Sequence, residues 1–298
     1  EGIDREHFLV VAAETKTAFQ TENAQWVERD ALYHAIAGQL TTVVKTLLIT
    51  DADDKQCELP NCIGEYESLL AAAKATYDFP DFDENSVATT FYTTGTTGDP
   101  KGVYFTHRQL VLHTLAGAVT VGCRENPQLM AAGDVYMPIT PMFHVHAWGL
   151  PYVATMLGLK QVYPGRYDPE LLIELWRREK VTFSHCVPTI VQMLLKAKAA
   201  QGTNFNGWKI TIGGSALTRG LYESARACGM QLVAAYGMSE TCPILTAANL
   251  KPHMLDWDAD KQVAIRCKTG LPVPNVNLEI LDPNGQPLPH DGQSAGEV

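Results

Sequence analysis

From residue 134 to residue 241, short apolar and β-branched runs alternate with stretches of helical periodicity, and this alternation limits the chain to a narrow set of folds. Residues 134–138 and 161–163 read as strands, with a helix over 150–157 between them. Asp168 before Pro169 joins an N-cap to a proline at the first helical position and predicts a helix to about Lys180. Strand 181–183, helix 190–199 and strand 209–212 follow. The helix from about Thr218 closes at Gly229, which suits a left-handed cap, and 231–235 is the next strand. Nearer the start, run 8–13, the helically spaced Trp26, Leu32, Ile36 and Leu40, and the β-branched stretch 41–49 form a strand-helix-strand unit, and 63–76 reads as a further helix. Such units set parallel strands side by side with helices on both faces. The expected fold class is α/β: two βα-layered subdomains with mostly parallel sheets, over 1–122 and 123–266. From residue 267 the texture changes, with Pro272, Pro274, Pro283, Pro287 and Pro289 interrupting short alternating strands. Of these 277–281 is the clearest, turned at 282–285, and 267–298 is expected to begin an antiparallel β-barrel subdomain.

The 298 residues, 46% of them hydrophobic, suffice for one large domain or two smaller ones. The formal charge of -10 argues against nucleic acid as a partner, because phosphate-backbone binding draws on clustered Lys and Arg. No run approaches the roughly 18 to 20 apolar residues of a membrane span. Cysteines at 57, 62, 123, 186, 228, 242 and 267 are scattered, show no zinc spacing, and read as reduced cytosolic thiols. The start Glu1-Gly2-Ile3-Asp4 is not a signal sequence and has no initiator Met, so the chain is expected to be a fragment.

The chemistry-bearing stretch is residues 92–103, Tyr-Thr-Thr-Gly-Thr-Thr-Gly-Asp-Pro-Lys-Gly-Val, between strand 87–91 and a second strand that leads to a helix near His107. Gly95, Gly98 and Gly102 permit backbone angles in which successive N–H groups form an anion-binding concavity. Thr93, Thr94, Thr96 and Thr97 add hydroxyls, and Lys101 adds a fixed positive charge. The set suits polyphosphate. The P-loop pattern of NTPases is absent, because Lys101 is followed by Gly102 rather than Ser or Thr. The bland alternative is a polar surface turn.

In open parallel sheets ligands bind outside the carboxyl ends of the strands. The loop 92–103, segment 140–149, Gly213 to Ala216 and Tyr236 to Thr241 are all expected there. Taken singly, Tyr236 reads equally as a core tyrosine, Glu240 as a surface carboxylate and Gly213-Gly214 as a plain turn, and the lesser alternative for His144 is a buried structural histidine.

Residues 92–103 and 236–241 resemble the two most diagnostic motifs of the AMP-forming acyl-CoA synthetases, within the adenylate-forming superfamily. Gly213-Gly214-Ser215-Ala216 and Pro141-Met142-Phe143-His144 match further motifs in the same order, and the run 141–152 is similar to bacterial and archaeal fatty-acid-CoA ligases of medium or long chain preference. The resemblance implies a cytoplasmic ligase that joins a fatty acid to CoA through an acyl-adenylate, with ATP, Mg2+ and CoA as cofactors, no nucleic acid, and a homodimer among the compatible assemblies. It implies catalytic roles for Lys101, His144, Ser239 and Glu240, with Glu240 the Mg2+ carboxylate. Thr93, Thr94, Gly95, Thr96, Thr97, Gly98 and Lys101 would hold the ATP phosphates. Gly213, Gly214, Ser215, Ala216, Tyr236, Gly237, Met238 and Ser239 would hold the nucleotide. His144, Trp148, Gly213 and Gly214 would border the acyl group. Ser239 stands where the family usually has Thr. The family's ribose-binding aspartate, hinge and C-terminal domain with the catalytic lysine are not found in these residues, so the chain by itself is expected to be inactive. The alternatives are an enzyme for a short, branched, aryl or sulfur-containing acid, one with a carrier-protein acceptor, or a non-catalytic nucleotide-binding module.

Overall fold

The computed structural model describes residues 8–13, 19–20, 26–27, 45–50, 62–93, 101–122, 130–165 and 167–298. It divides into two compact units between Asp81 and Phe82.

In the first unit β1 (Phe8–Ala13) pairs in parallel with β4 (Lys45–Thr50), Val10 opposite Leu47, and β5 (Cys62–Glu65) adds to β4 in parallel. This is the parallel pairing expected of a strand-helix-strand unit. β2 (Phe19–Gln20) and β3 (Trp26–Val27) form an antiparallel ribbon, so Trp26 does not open a helix. Leu32, Ile36 and Leu40 lie outside the described residues. Helix α1 covers Tyr66–Ala72 rather than 63–76. Its start is set by Glu65, whose carboxylate accepts from the Glu67 and Ser68 N–H groups, both at 2.9 Å, and Ile63 therefore belongs to β5. Cys62 is disulfide-bonded, which corrects the reading of every cysteine as a reduced thiol, whereas Cys186, Cys228, Cys242 and Cys267 are free.

The second unit begins with an antiparallel hairpin, β6 (Val87–Thr93) and β7 (Lys101–Thr106), followed by α2 (His107–Gly122). A seven-stranded sheet follows. Its elements are β8 (Val135–Pro138), α3 (Leu150–Met156), β9 (Lys160–Gln161), α4 (Pro169–Glu179), β10 (Phe183–Cys186), α5 (Pro188–Lys196), β11 (Lys209–Ile212), α6 (Arg219–Ala227), β12 (Gln231–Gly237), β13 (Ile244–Ala247), α7 (Ala259–Arg266) and β14 (Leu271–Pro272). The strand order is β14-β13-β12-β11-β10-β8-β9, parallel from β12 to β9, with β13 and β14 antiparallel at one edge. Cap chemistry fixes the helices: Asp168 accepts from Leu171 N at 3.0 Å, Thr218 from Leu221 N at 3.3 Å, and Lys180 closes α4 in the left-handed conformation.

Successive residues of β8 face opposite layers, as the pleat requires. Met137 joins Ile210, Ile212, Leu232, Phe205 and Trp208 in the larger core, and Tyr136 joins Phe183, Leu150 and Val153 in a second core. A buried ion pair ties the strand starts: Lys209 Nζ meets the Asp134 carboxylate at 2.6 and 2.7 Å, and Thr182 Oγ1 donates to Asp134 at 2.6 Å. Beyond β14, the expected strand 277–281 is reduced to bridges from Leu281 to Pro287 and Glu297 around the turn at Asp282. No closed barrel is seen among the described residues. No helix of the described residues is long and apolar enough to cross a membrane.

Candidate active-site cleft

Strand β8 lies between β9 and β10, so the direction in which the chain winds across the sheet reverses there. A crevice at the carboxyl ends of the strands opens at such a point. The cleft lies at the carboxyl ends of β11 and β12, closed by the segment that follows β8; it holds about 140 Å³ and is bordered by His144, Trp148, Gly213, Gly214, Tyr236 and Ser239, with Gly237 and Met238 beside them. It is smaller than the roughly 300–1,000 Å³ of sites that engulf a drug-sized ligand.

The wall that carries His144 has unusual backbone. Val145, His146, Ala147 and Trp148 all have positive φ, at 47°, 55°, 48° and 60°, forming one left-handed turn before Gly149 at 72°. Each such residue costs roughly 1–2 kcal/mol for an L side chain. Burial offsets that cost: Val145, Ala147 and Trp148 lie in the interior. The turn leaves His144 exposed and directs the Trp148 ring under Gly213, where an added Cβ would meet the ring at 3.0 Å. Gly214 takes φ 77°, with Val187 Cγ1 3.0 Å from an added Cβ. The missing side chain of Gly213 thus lets the indole close the cleft floor, and Gly214 accommodates Val187 beside it.

Tyr236 and Gly237 end β12, and the turn after them is tied by Thr241, whose hydroxyl donates to the Pro243 carbonyl at 2.6 Å and accepts from Met238 N at 3.1 Å. Gly237 has no room for a side chain, because a Cβ would lie 2.1 Å from the Pro243 carbonyl oxygen. Gly237→Ala is expected to destabilise the fold by about 1–3 kcal/mol. Thermal unfolding checks this, and an unchanged midpoint would contradict the packing.

Other expected site residues lie outside the cleft. Ser215 and Ala216 are exposed beyond its border, and Glu240 is exposed and faces a neighbouring depression with His113 and Thr241. Thr93 pairs with the exposed Lys101 at the loop end of the β6–β7 hairpin, and Thr94, Gly95, Thr96, Thr97 and Gly98 lie outside the described residues. The Gly-Thr loop therefore joins antiparallel strands of a separate two-stranded sheet, which corrects its expected place at the carboxyl end of a parallel strand.

Three histidines beneath the cleft gave no sequence signal. His146 bonds Thr89 Oγ1 at 2.7 Å and packs on Phe91, and burial lowers its pKa. His113 Nε2 accepts from Ile244 N at 3.2 Å, holding α2 to β13, and burial lowers its pKa to about 4. His185 is fully buried between Tyr136 and Trp148, with the Tyr136 hydroxyl 3.1 Å from Nδ1. Burial brings its pKa down to about 3, against an upward pull from the Ala147 backbone. These rings pack the cleft wall from behind in their neutral form.

The family model for AMP-binding enzymes matches residues 4–298, and the chain belongs to that family. It is 38% identical over 269 residues to a long-chain-fatty-acid–CoA ligase of Thermus thermophilus, covering 90% of this chain and 47% of that protein. It is 37% identical over 270 residues to a 3-methylmercaptopropionyl-CoA ligase of Ruegeria pomeroyi, covering 90% and 49%. The chain thus spans about half the length of the curated relatives it matches. Among solved structures, the anthranilate CoA ligase AuaEII in complex with anthranoyl-AMP superposes with a TM-score of 0.70 at 17% identity, over 94% of this chain and 48% of that one. That likeness concerns the fold.

Proposed function

We propose that this sequence forms part of an AMP-forming, cytoplasmic fatty-acid–CoA ligase. The observation that carries the reading is the cleft at the carboxyl ends of the parallel strands, which gathers His144, Trp148, Gly213, Gly214, Tyr236 and Ser239 in a chain of the AMP-binding family. In the proposed reaction a carboxylate oxygen attacks the α-phosphorus of ATP and pyrophosphate leaves. The CoA thiol then displaces AMP from the acyl-adenylate.

Tyr236 offers its ring to the adenine, with Gly213 to Ala216 on the other side. Ser239 turns its hydroxyl to the α-phosphate, and His144 donates a hydrogen bond to the acid's carboxylate. Thr93 to Gly98 and Lys101 hold the outer phosphates. No cluster of three or more acidic, His or Cys side chains is found among the described residues, so Glu240 acts as a single exposed carboxylate. That fits Mg2+, which is bound through one or two carboxylates together with phosphate oxygens. When bound, the ion neutralises phosphate charge. Pyrophosphate exchange across a panel of carboxylic acids, with and without CoA, tests the reading. Exchange without thioester formation when CoA is added would point to another acceptor.

A second reading, an enzyme for a sulfur-containing acid, is favoured by the 37% identity to the 3-methylmercaptopropionyl-CoA ligase. The acid panel separates the two. Trp148, only 8% exposed and seated under Gly213, would set how far the acyl chain penetrates. Trp148→Ala is expected to move the chain-length optimum toward longer acids, with about a tenfold change in relative kcat/KM. A uniform loss over all acids would assign the ring to core packing alone.

A further inference from the structure

Strand β12 carries Tyr236 and Gly237 at one end and Gln231 at the other, about 20 Å apart at strand rise. A second cavity, of about 430 Å³, opens at the Gln231 end, away from the cleft. Tyr222, Arg226, Gln231, Trp257, Gln262 and Arg266 border it.

Arg266 ends α7 and is only 5% exposed. Its Nη1 is buried without a hydrogen-bond partner, and so is Gln231 Oε1. Among the described residues no carboxylate pairs with Arg266; burial lowers its pKa, with Tyr222 opposing that shift and the neighbouring Arg226 adding to it. The acids of adjoining elements are engaged elsewhere: Asp258 with Lys261, and Glu223 and Asp260 with Arg219. Gln262 donates to the Leu255 and Trp257 carbonyls, both at 2.9 Å, pinning the Trp257 turn on the rim. A native fold rarely leaves a guanidinium nitrogen and an amide oxygen beside one cavity buried without a partner.

We propose that this cavity binds a small oxyanion, phosphate or carboxylate, that carries an adjacent hydroxyl. The oxyanion bridges Arg266 and Arg226, and the hydroxyl donates to Gln231. Planar guanidinium groups favour such bidentate contacts. The site is built from α6, α7 and the start of β12, and shares no residue with the cleft.

Titration calorimetry on the 298-residue chain, with glycerol 3-phosphate and with malate as probes, distinguishes a phosphate from a carboxylate ligand. At least one probe is expected to bind. Arg266→Gln and the surface variant Arg226→Gln should each weaken it by about 10-fold or more, and Lys101→Ala should leave it unchanged. Arg266→Gln should unfold no earlier than the wild type in the absence of probe, because it removes an unpaired buried charge. No binding of either probe, or binding that survives in both arginine variants, would overturn the site. So would loss in Lys101→Ala alone, which would move the probe to the Gly-Thr loop.

Discussion

Replacing Lys101 or Glu240 by alanine, in the enzyme that carries this sequence, is expected to slow acyl-adenylate formation by about 10- to 1,000-fold. Both side chains are exposed, and among the described residues neither takes part in an ion pair, so neither is held by a structural task. Lys101 stands at the loop end of the hairpin that carries the Gly-Thr loop, opposite Thr93. Attack of a carboxylate on a polyphosphate brings two anions together, and a fixed cation beside the departing phosphates lowers that barrier more than it strengthens ground-state binding. A charge-assisted contact of this kind contributes about 1.5–3 kcal/mol. In the proposed role Glu240 acts through Mg2+, so its loss should raise the Mg2+ concentration needed for half-maximal rate, whereas the loss of Lys101 should not. ATP–pyrophosphate exchange measured over a range of Mg2+, with urea unfolding of the same variants, tests this. Unchanged exchange in both variants would remove them from the site; a matching loss of stability would mark them as structural.

What could be read ahead of the fold was whatever local chemistry decides. Asp168 and Thr218 cap their helices in the structure as their side chains demand, and Lys180 and Gly229 end them in left-handed conformations. The alternation over 134–235 likewise fixed a parallel sheet with helices on both faces. Contacts distant in sequence were not legible. Nothing local in Val145-His146-Ala147-Trp148 suggests a left-handed turn, since a β-branched residue and an indole disfavour it, and only burial of the finished fold makes up the difference. Trp26 and Val27 follow a helical pattern yet pair with Phe19 and Gln20, an instance of strand pairing overriding periodicity. His144, Trp148 and the two glycines share a cleft with Tyr236 because they follow strands of the same parallel sheet and Tyr236 ends another. Glu240 fell outside it because the turn tied by Thr241 carries that carboxylate to the other side of the Ile244 segment.

The neutral histidines behind the cleft should also make the second unit acid-labile well above the pH at which its carboxylates titrate. His185 and His113 have pKa values brought down by burial to about 3 and about 4, from an ordinary 6.5. Above 6.5 both are neutral in the folded and unfolded chain, and their contribution to stability is fully present. As the pH falls below 6.5 the unfolded chain takes up two protons that the folded chain does not, so stability drops until the folded values are reached. From about pH 7 to about pH 5 each ring is expected to remove about 2 kcal/mol, close to 4 kcal/mol for the pair, a large part of the stability of an ordinary domain. Protonation would also place charge beside Trp148 and Gly149, so the cleft wall should loosen first; near-ultraviolet circular dichroism of the tryptophans should change before the far-ultraviolet signal. Urea unfolding at both pH values, on the wild type and on the double variant His113→Gln, His185→Gln, measures the effect as a difference across pH, so any general destabilisation by the substitutions cancels. The wild type should lose about 4 kcal/mol and the double variant much less; equal losses in both would mean that these two rings are not held neutral by the fold.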